Sequence, residues 1–368
     1  MFDMLLRRLW LSLCLATMFS PGAATPHATP EGALAKPSSS TAEPRLLDVV
    51  TVTPSKSPPL WLFTRGTKRI IVLGTQTPLP QDAVLVSGTI QQYMARSDIA
   101  LTAPGILAGD SGGIFQGLTL WSAIRKAKRN PDSQTLEQVL DGQTYARWQV
   151  LKHKYIGSDR GIEKLRPMYA AFELYGAAMQ QHGLTDEPIV GKLLADALEA
   201  TGRKRVDARY AIPVGNRRLA AKAFEVNPAR DVECLKQTLA HLEAYMEFSP
   251  NAADAWAAGD LERYRSAEAL YSPIHQCWAE LTNEAIATAA GVPDPYRMSD
   301  TAWLKALDDA LSRHDTVFTT LAARDILMHQ GMAARLEALG YAIRELSNAD
   351  PAPPTPLDYR PGKRAARD

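Results

Sequence analysis

Residues Lys68 to Pro80 read K-R-I-I-V-L-G-T-Q-T-P-L-P. An apolar, β-branched run stops at Gly74-Thr75 and gives way to a Pro-rich turn. A second short run, Leu60 to Thr64, precedes it across Arg65-Gly66-Thr67-Lys68, and the two together predict a β-hairpin. At the far end, Thr316 to Leu321 and Tyr341 to Leu346 read as strands. A helix over Met328 to Leu339 lies between those two, and Gly340 stops it. Strands at both ends with little else of that kind in between restrict the chain to a sheet built from its two ends.

The stretch between reads as helix. Asp82 to Arg96 has helical apolar spacing, and Ile99 to Leu101 is a third strand. From Phe115 to about Ala290 the residues Ala, Leu, Glu and Arg dominate, with apolar positions three and four apart, so this region is expected to be almost entirely helical. Asp141 is placed to cap a helix from Gly142, and Pro167 should kink or restart one. Asp300 is expected to cap a helix through about Arg313, with Trp303, Leu304, Leu307 and Leu311 on one face. The fold class is therefore α/β (α+β), a sheet core from the two ends with a large helical region between. Strand ends line the active crevice in such layouts. The turns Gly74-Thr75-Gln76-Thr77 and Ala323-Arg324-Asp325-Ile326 are its expected walls, and their likeness hints at duplication.

The termini bound the folded part. Arg7 and Arg8, the apolar run Leu9 to Phe19 and the small residues Gly22-Ala23-Ala24 read as a signal peptide over 1–24, against the alternative of an N-terminal anchor. The expected location is periplasmic or secreted, with no stable membrane insertion after cleavage. Residues 25–45 and 349–368 are rich in Pro and small or charged residues, and both read as disordered flanks of a domain over 46–348. A net charge of +1 gives no electrostatic footprint for nucleic acid. After cleavage two cysteines remain, Cys234 and Cys277, and an exported compartment permits them to pair. Spacing does not decide whether they do. His275 stands two residues before Cys277 without a second ligand pair, so no structural metal site is expected there.

Two other motifs carry little chemistry. Gly109-Asp110-Ser111-Gly112-Gly113 matches the nucleophile turn of chymotrypsin-like proteases in letters, but only His27 precedes it and helices follow. It reads as a Gly-rich loop on the active face, with Asp110 and Ser111 lining the cleft. The run Arg125, Lys126, Lys128, Arg129 reads as a solvated helix face, and Trp121, Trp148, Trp256, Trp278 and Trp303 as packing residues.

Several stretches in order resemble the TraB/GumN family, which is similar in fold to the Tiki metalloproteases. They are the strand ending in Gly74-Thr75, the helix start Leu136 to Asp141, Leu165-Arg166-Pro167-Met168, the signature Ala255-Trp256-Ala257-Ala258-Gly259-Asp260-Leu261, and the closing Gly331-Met332 to Leu339-Gly340-Tyr341. The resemblance covers about Pro59 to Leu346. It implies a divalent-metal hydrolase site with a His after the G-T pair, a Glu ending the third strand, an R-N pair before a helical Trp, and a second His near the end. Those positions hold Thr77, Thr102 and Ala103, Ser299 and Asp300, and Asp325. The expectation is a degenerate scaffold with no catalytic residue and no cofactor, binding a peptide or another protein. The alternative is a divergent metal-dependent hydrolase using Asp325 and His329, four residues apart, with Asp110.

Overall fold

A computed structural model describes residues 57–85, 88–109, 128–213, 228–266 and 273–346. The remaining segments include the expected signal peptide, both flanks, Asp110, Ser111 and Trp121, and these lie outside the described residues.

The hairpin forms as expected. Strand β1 (Leu60–Arg65) turns through Gly66, whose φ of +60° suits a residue without a Cβ, into β2 (Lys68–Thr75). The chain then runs through β3 (Leu79–Pro80), α1 (Gly88–Ala95), β4 (Ile99–Leu101) and β5 (Ile106–Gly109). Next come α2 (Leu136–Val139), α3 (Gly142–Tyr155), α4 (Pro167–Gln181), β6 (Leu184–Thr185), α5 (Ile189–Thr201), β7 (Arg205–Val206) and β8 (Tyr210–Pro213). Helices α6 (Pro228–Ala257), α7 (Leu261–Ser266), α8 (Pro273–Ala290) and α9 (Pro295–Leu311) lead to β9 (Thr316–Ala322). Two short helices, α10 (Ala323–Leu327) and α11 (Gly331–Ala338), precede the last strand, β10 (Ala342–Leu346).

The main sheet has the order β10-β1-β2-β9-β4-β7. The first strand pairs antiparallel with both β2 and β10, and β2, β9, β4 and β7 run parallel. Parallel strands need cover on both faces, and the sequence supplies it. Ile70, Ile71, Val72 and Leu73 are all fully buried, as are Val317 and Phe318. Each such side chain contributes roughly 1.5–3 kcal/mol by leaving water. A second core lies among α3, α4, α6 and α8, around Trp148, Leu174, Leu242, Met246 and Ile274. Cys234 of α6 and Cys277 of α8 are joined by a disulfide with their Cα atoms 5.6 Å apart. Among the described residues no helix is long and apolar enough to cross a membrane.

Four expectations need correction. The middle of the chain is not almost wholly helical, because it contributes β7 to the main sheet and pairs β6 with β3 and β8 with β5. The helix expected over Asp82 to Arg96 is Gly88–Ala95, since Pro80 and Gln81 sit in a ribbon and turn that delay it. Asp300 does not cap α9. Asp294 does, accepting a hydrogen bond from the Arg297 N–H at 3.0 Å, with Pro295 at the first helical position. The helix expected over Met328 to Leu339 starts only at Gly331, with the separate α10 before it, because His329 and Gly331 adopt left-handed φ values of +50° and +59°. Asp141 caps α3 through the Thr144 N–H at 2.8 Å, and Pro167 starts α4.

Candidate functional site

Parallel pairing sets the site. Thr75 lies opposite Ala322, so the turns that follow β2 and β9 leave the sheet side by side at its C-terminal edge. Thr102, just past β4, stands at the same edge. The sequence carries these turns there for local reasons. Gly74 is a place where the chain passes close beneath other groups: a Cβ on it would meet the Trp61 ring at 2.1 Å and the Ala323 Cβ at 3.0 Å. Its carbonyl accepts a hydrogen bond from Trp256 Nε1 at 2.8 Å. Trp303 Nε1 serves the Thr102 carbonyl in the same way, also at 2.8 Å. Gly259, with φ +67°, ends α6, and Asp260 caps α7 through the Arg263 N–H, which puts Tyr264 against Gln76.

The sequence-derived positions differ in what holds them. The Thr77 side chain is exposed, and the Thr77–Pro78 peptide is cis. Thr102 Oγ1 accepts from the Ala208 N–H at 2.9 Å and helps hold the turn after β7. Asp207 in that turn is held down at about 2, chiefly by its hydrogen bonds with Arg209. Ala103 is half-buried. Ser299 is buried and donates to the Gly105 carbonyl at 2.8 Å. Asp300 pairs with Arg335 at 3.1 Å, and burial raises its carboxyl pKa, with the nearby charges of Asp294 and Asp325 adding to the rise.

Asp325 accepts from Gln330 Nε2 at 3.2 Å and lies over Gly331, where a Cβ would stand 2.9 Å from its Oδ2. His329 faces elsewhere, its Nδ1 2.9 Å from Glu337 Oε1, and α10 has already ended at Leu327. The pair is thus not on one helix, and the two side chains take different partners. Among the described residues no three His, Cys, Asp or Glu side chains gather as a metal-holding group.

Sequence reasoning missed the helical wall of the crevice. Tyr264 of α7 is fully buried and its hydroxyl donates to Gln76 Oε1, tying this wall to the turn after β2. Burial pushes the Tyr264 hydroxyl pKa up, against the opposing charge of Arg324. Tyr245 of α6 is raised to about 12, again first by burial. Tyr175 of α4 lies 3.1 Å from His275 Nε2 of α8. Burial lowers His275 to about 4, and the Arg324 charge acts in the same direction. Arg324 therefore stands within electrostatic reach of three helices. On the far rim, the β3–β6 pairing sets Leu79 opposite Thr185, so Asp186 follows beside Pro78. Asp186 is open to solvent, yet the protein around it raises its carboxyl pKa through desolvation. No spacing rule joins Asp186, Tyr175, Tyr245, Tyr264 and His275. Only the folded helices do.

Comparison with known proteins agrees with this geometry. No curated protein and no solved structure matches the chain significantly. The model of the TraB/PrgY/gumN family matches residues 59–345, the same stretch that runs from the first strand of the sheet to the last. On that match over most of its length, and with the strand-end turns and Trp256 placed as described, the chain belongs to the TraB/PrgY/gumN family.

Proposed function

We propose that this chain is an exported member of its family that has given up metal-dependent hydrolysis and binds a peptide or another protein in the crevice at the sheet edge. One observation carries the reading: the two positions where the family resemblance implies His hold Thr77 and Asp325, and the Asp325 carboxylate is occupied by Gln330. The donor set does not fit a divalent ion. A hydroxyl is a poor ligand for one, and a catalytic site needs about three protein ligands on one point with an open position for water. His329 is turned to Glu337, and Thr102 is engaged with Ala208. The strand-end turns and the helices tied to them, through Trp256 to Gly74 and Tyr264 to Gln76, supply the surface for such a ligand.

Elemental analysis and a peptide-library cleavage assay on the purified protein test this. The expected result is no stoichiometric metal and no cleavage above background. One equivalent of metal, with turnover abolished by Asp325→Ala or His329→Ala, overturns the reading in favour of a divergent hydrolase. For export, mass spectrometry of the mature protein is expected to find an N-terminus close to Thr25. Recovery of intact Met1 from the cytosol overturns that part.

A further inference from the structure

The guanidinium of Arg324 has no settled partner. Its Nε is buried and makes no hydrogen bond among the described residues. Its nearest acid, Asp325, is 3.6 Å from its Nη2, beyond hydrogen-bond distance, and Asp325 already accepts from Gln330. A desolvated N–H left unpaired is unfavourable, so the protein around this guanidinium does not lock it in place. The side chain is 36% exposed, so it is reachable from solvent. Its place is the first turn after β9, at the carboxyl edge of the parallel strands, where ligands of such sheets bind. Its charge acts on the hydroxyl of Tyr245 and the ring of His275.

We propose that Arg324 anchors the ligand of this crevice by its carboxylate, taken as the free C-terminus of a peptide. This rests on the peptide-binding reading above. A guanidinium presents parallel N–H donors that match the two oxygens of a carboxylate, a fit that a lysine ammonium lacks. Its two Nη groups, which no hydrogen bond holds among the described residues, present that pair of donors to the ligand. Asp325, held by Gln330 on the side of Gly331, keeps the anchor from drifting without saturating it.

The test uses the full mature chain and three fluorescein-labelled tripeptide pools. The first lacks Asp and Glu and ends in a free carboxylate, the second is the same pool amidated, and the third is amidated with Glu at one position. Fluorescence anisotropy is expected to show the free-acid pool binding at least about tenfold tighter than the amidated pool. Arg324→Gln should remove that preference, and Arg324→Lys should restore part of it. Tight binding of the third pool with the same Arg324 dependence overturns the C-terminal assignment and makes an acidic side chain the ligand. Equal binding of all three pools to the unaltered chain overturns the anchor but leaves peptide binding standing. No binding of any pool up to millimolar concentration sinks both. If Arg324→Gln fails to fold by circular dichroism, the comparison of pools on the unaltered chain decides alone.

Discussion

Trp256 Nε1 donates a 2.8 Å hydrogen bond to the carbonyl of Gly74, 182 residues earlier in the chain. The two most specific stretches of the family resemblance, the G-T strand end and the Ala255-to-Leu261 signature, are thus one contact. Gly74 is held from three sides, by the Trp61 ring, Ala323 and this indole. Its role is steric and belongs to packing rather than chemistry.

Gly74→Ala should therefore be costly. The new methyl overlaps the Trp61 ring, and overpacking of this kind typically destabilises by about 1–3 kcal/mol. Trp256→Phe keeps most of the volume but leaves the Gly74 carbonyl unpaired, at about 1–3 kcal/mol. Urea unfolding of both variants checks this, and a change below about 0.5 kcal/mol in Gly74→Ala contradicts the close packing.

The Cys234–Cys277 bond closes a loop with a sequence separation of 43 between α6 and α8. Constraint of the unfolded chain over such a loop is worth about 4 kcal/mol, and measured values run lower. Cys234→Ala with Cys277→Ala should lower the transition midpoint accordingly, and reductant should do the same to the unaltered protein but not to the double variant. A midpoint insensitive to reductant argues against the bond.

Acid should weaken the fold through His275. Its pKa in the folded state is about 4, below the ordinary value of 6.5, because burial and the Arg324 charge disfavour the imidazolium. The unfolded state then binds the proton first, so stability falls as pH drops from above 6.5 towards 4, by up to about 3 kcal/mol. Asp186 acts with the opposite sign, since its raised pKa favours the folded state as pH falls. Stability measured across this window for His275→Phe should show a flatter acid limb than the unaltered chain. An identical limb shows that other groups govern it.

Arg166 Nε meets Asp231 Oδ2 at 2.7 Å, and the Asp231 side chain is 1% exposed. Burial raises the Asp231 pKa, with Arg166 opposing it. Arg166→Met removes the main compensation for a buried carboxylate and should cost about 3–5 kcal/mol near neutral pH. The double variant with Asp231→Leu should recover much of that loss, which thermal unfolding of both variants checks.

The parts of this fold that were legible are those written in local signals. Ile99–Leu101 matches its strand residue for residue, and the hairpin, β9 and the Asp141 cap follow from apolar runs, turn residues and a side chain at the right offset. Arg205–Val206 was invisible because two residues have no period, and both are exposed. The break at His329 was missed because a non-glycine residue in the left-handed region carries no compositional mark. The place of Arg324 at a strand end was legible from the strand that precedes it. Its surroundings were not, since Tyr245, Tyr264 and His275 come within reach of its charge from three separate helices.

The first strand is sandwiched between the second and the last, with Leu60 opposite both Leu73 and Leu346. Translation delivers β1 and β2 early, but β9 and β10 only after the whole helical insert has been made. A ribosome-bound chain therefore holds a hairpin without its flanking strands, and its sheet closes only once synthesis has passed residue 346. Pairings of such long range form slowly. The topology therefore leaves the sheet unfinished until its last strand has been made.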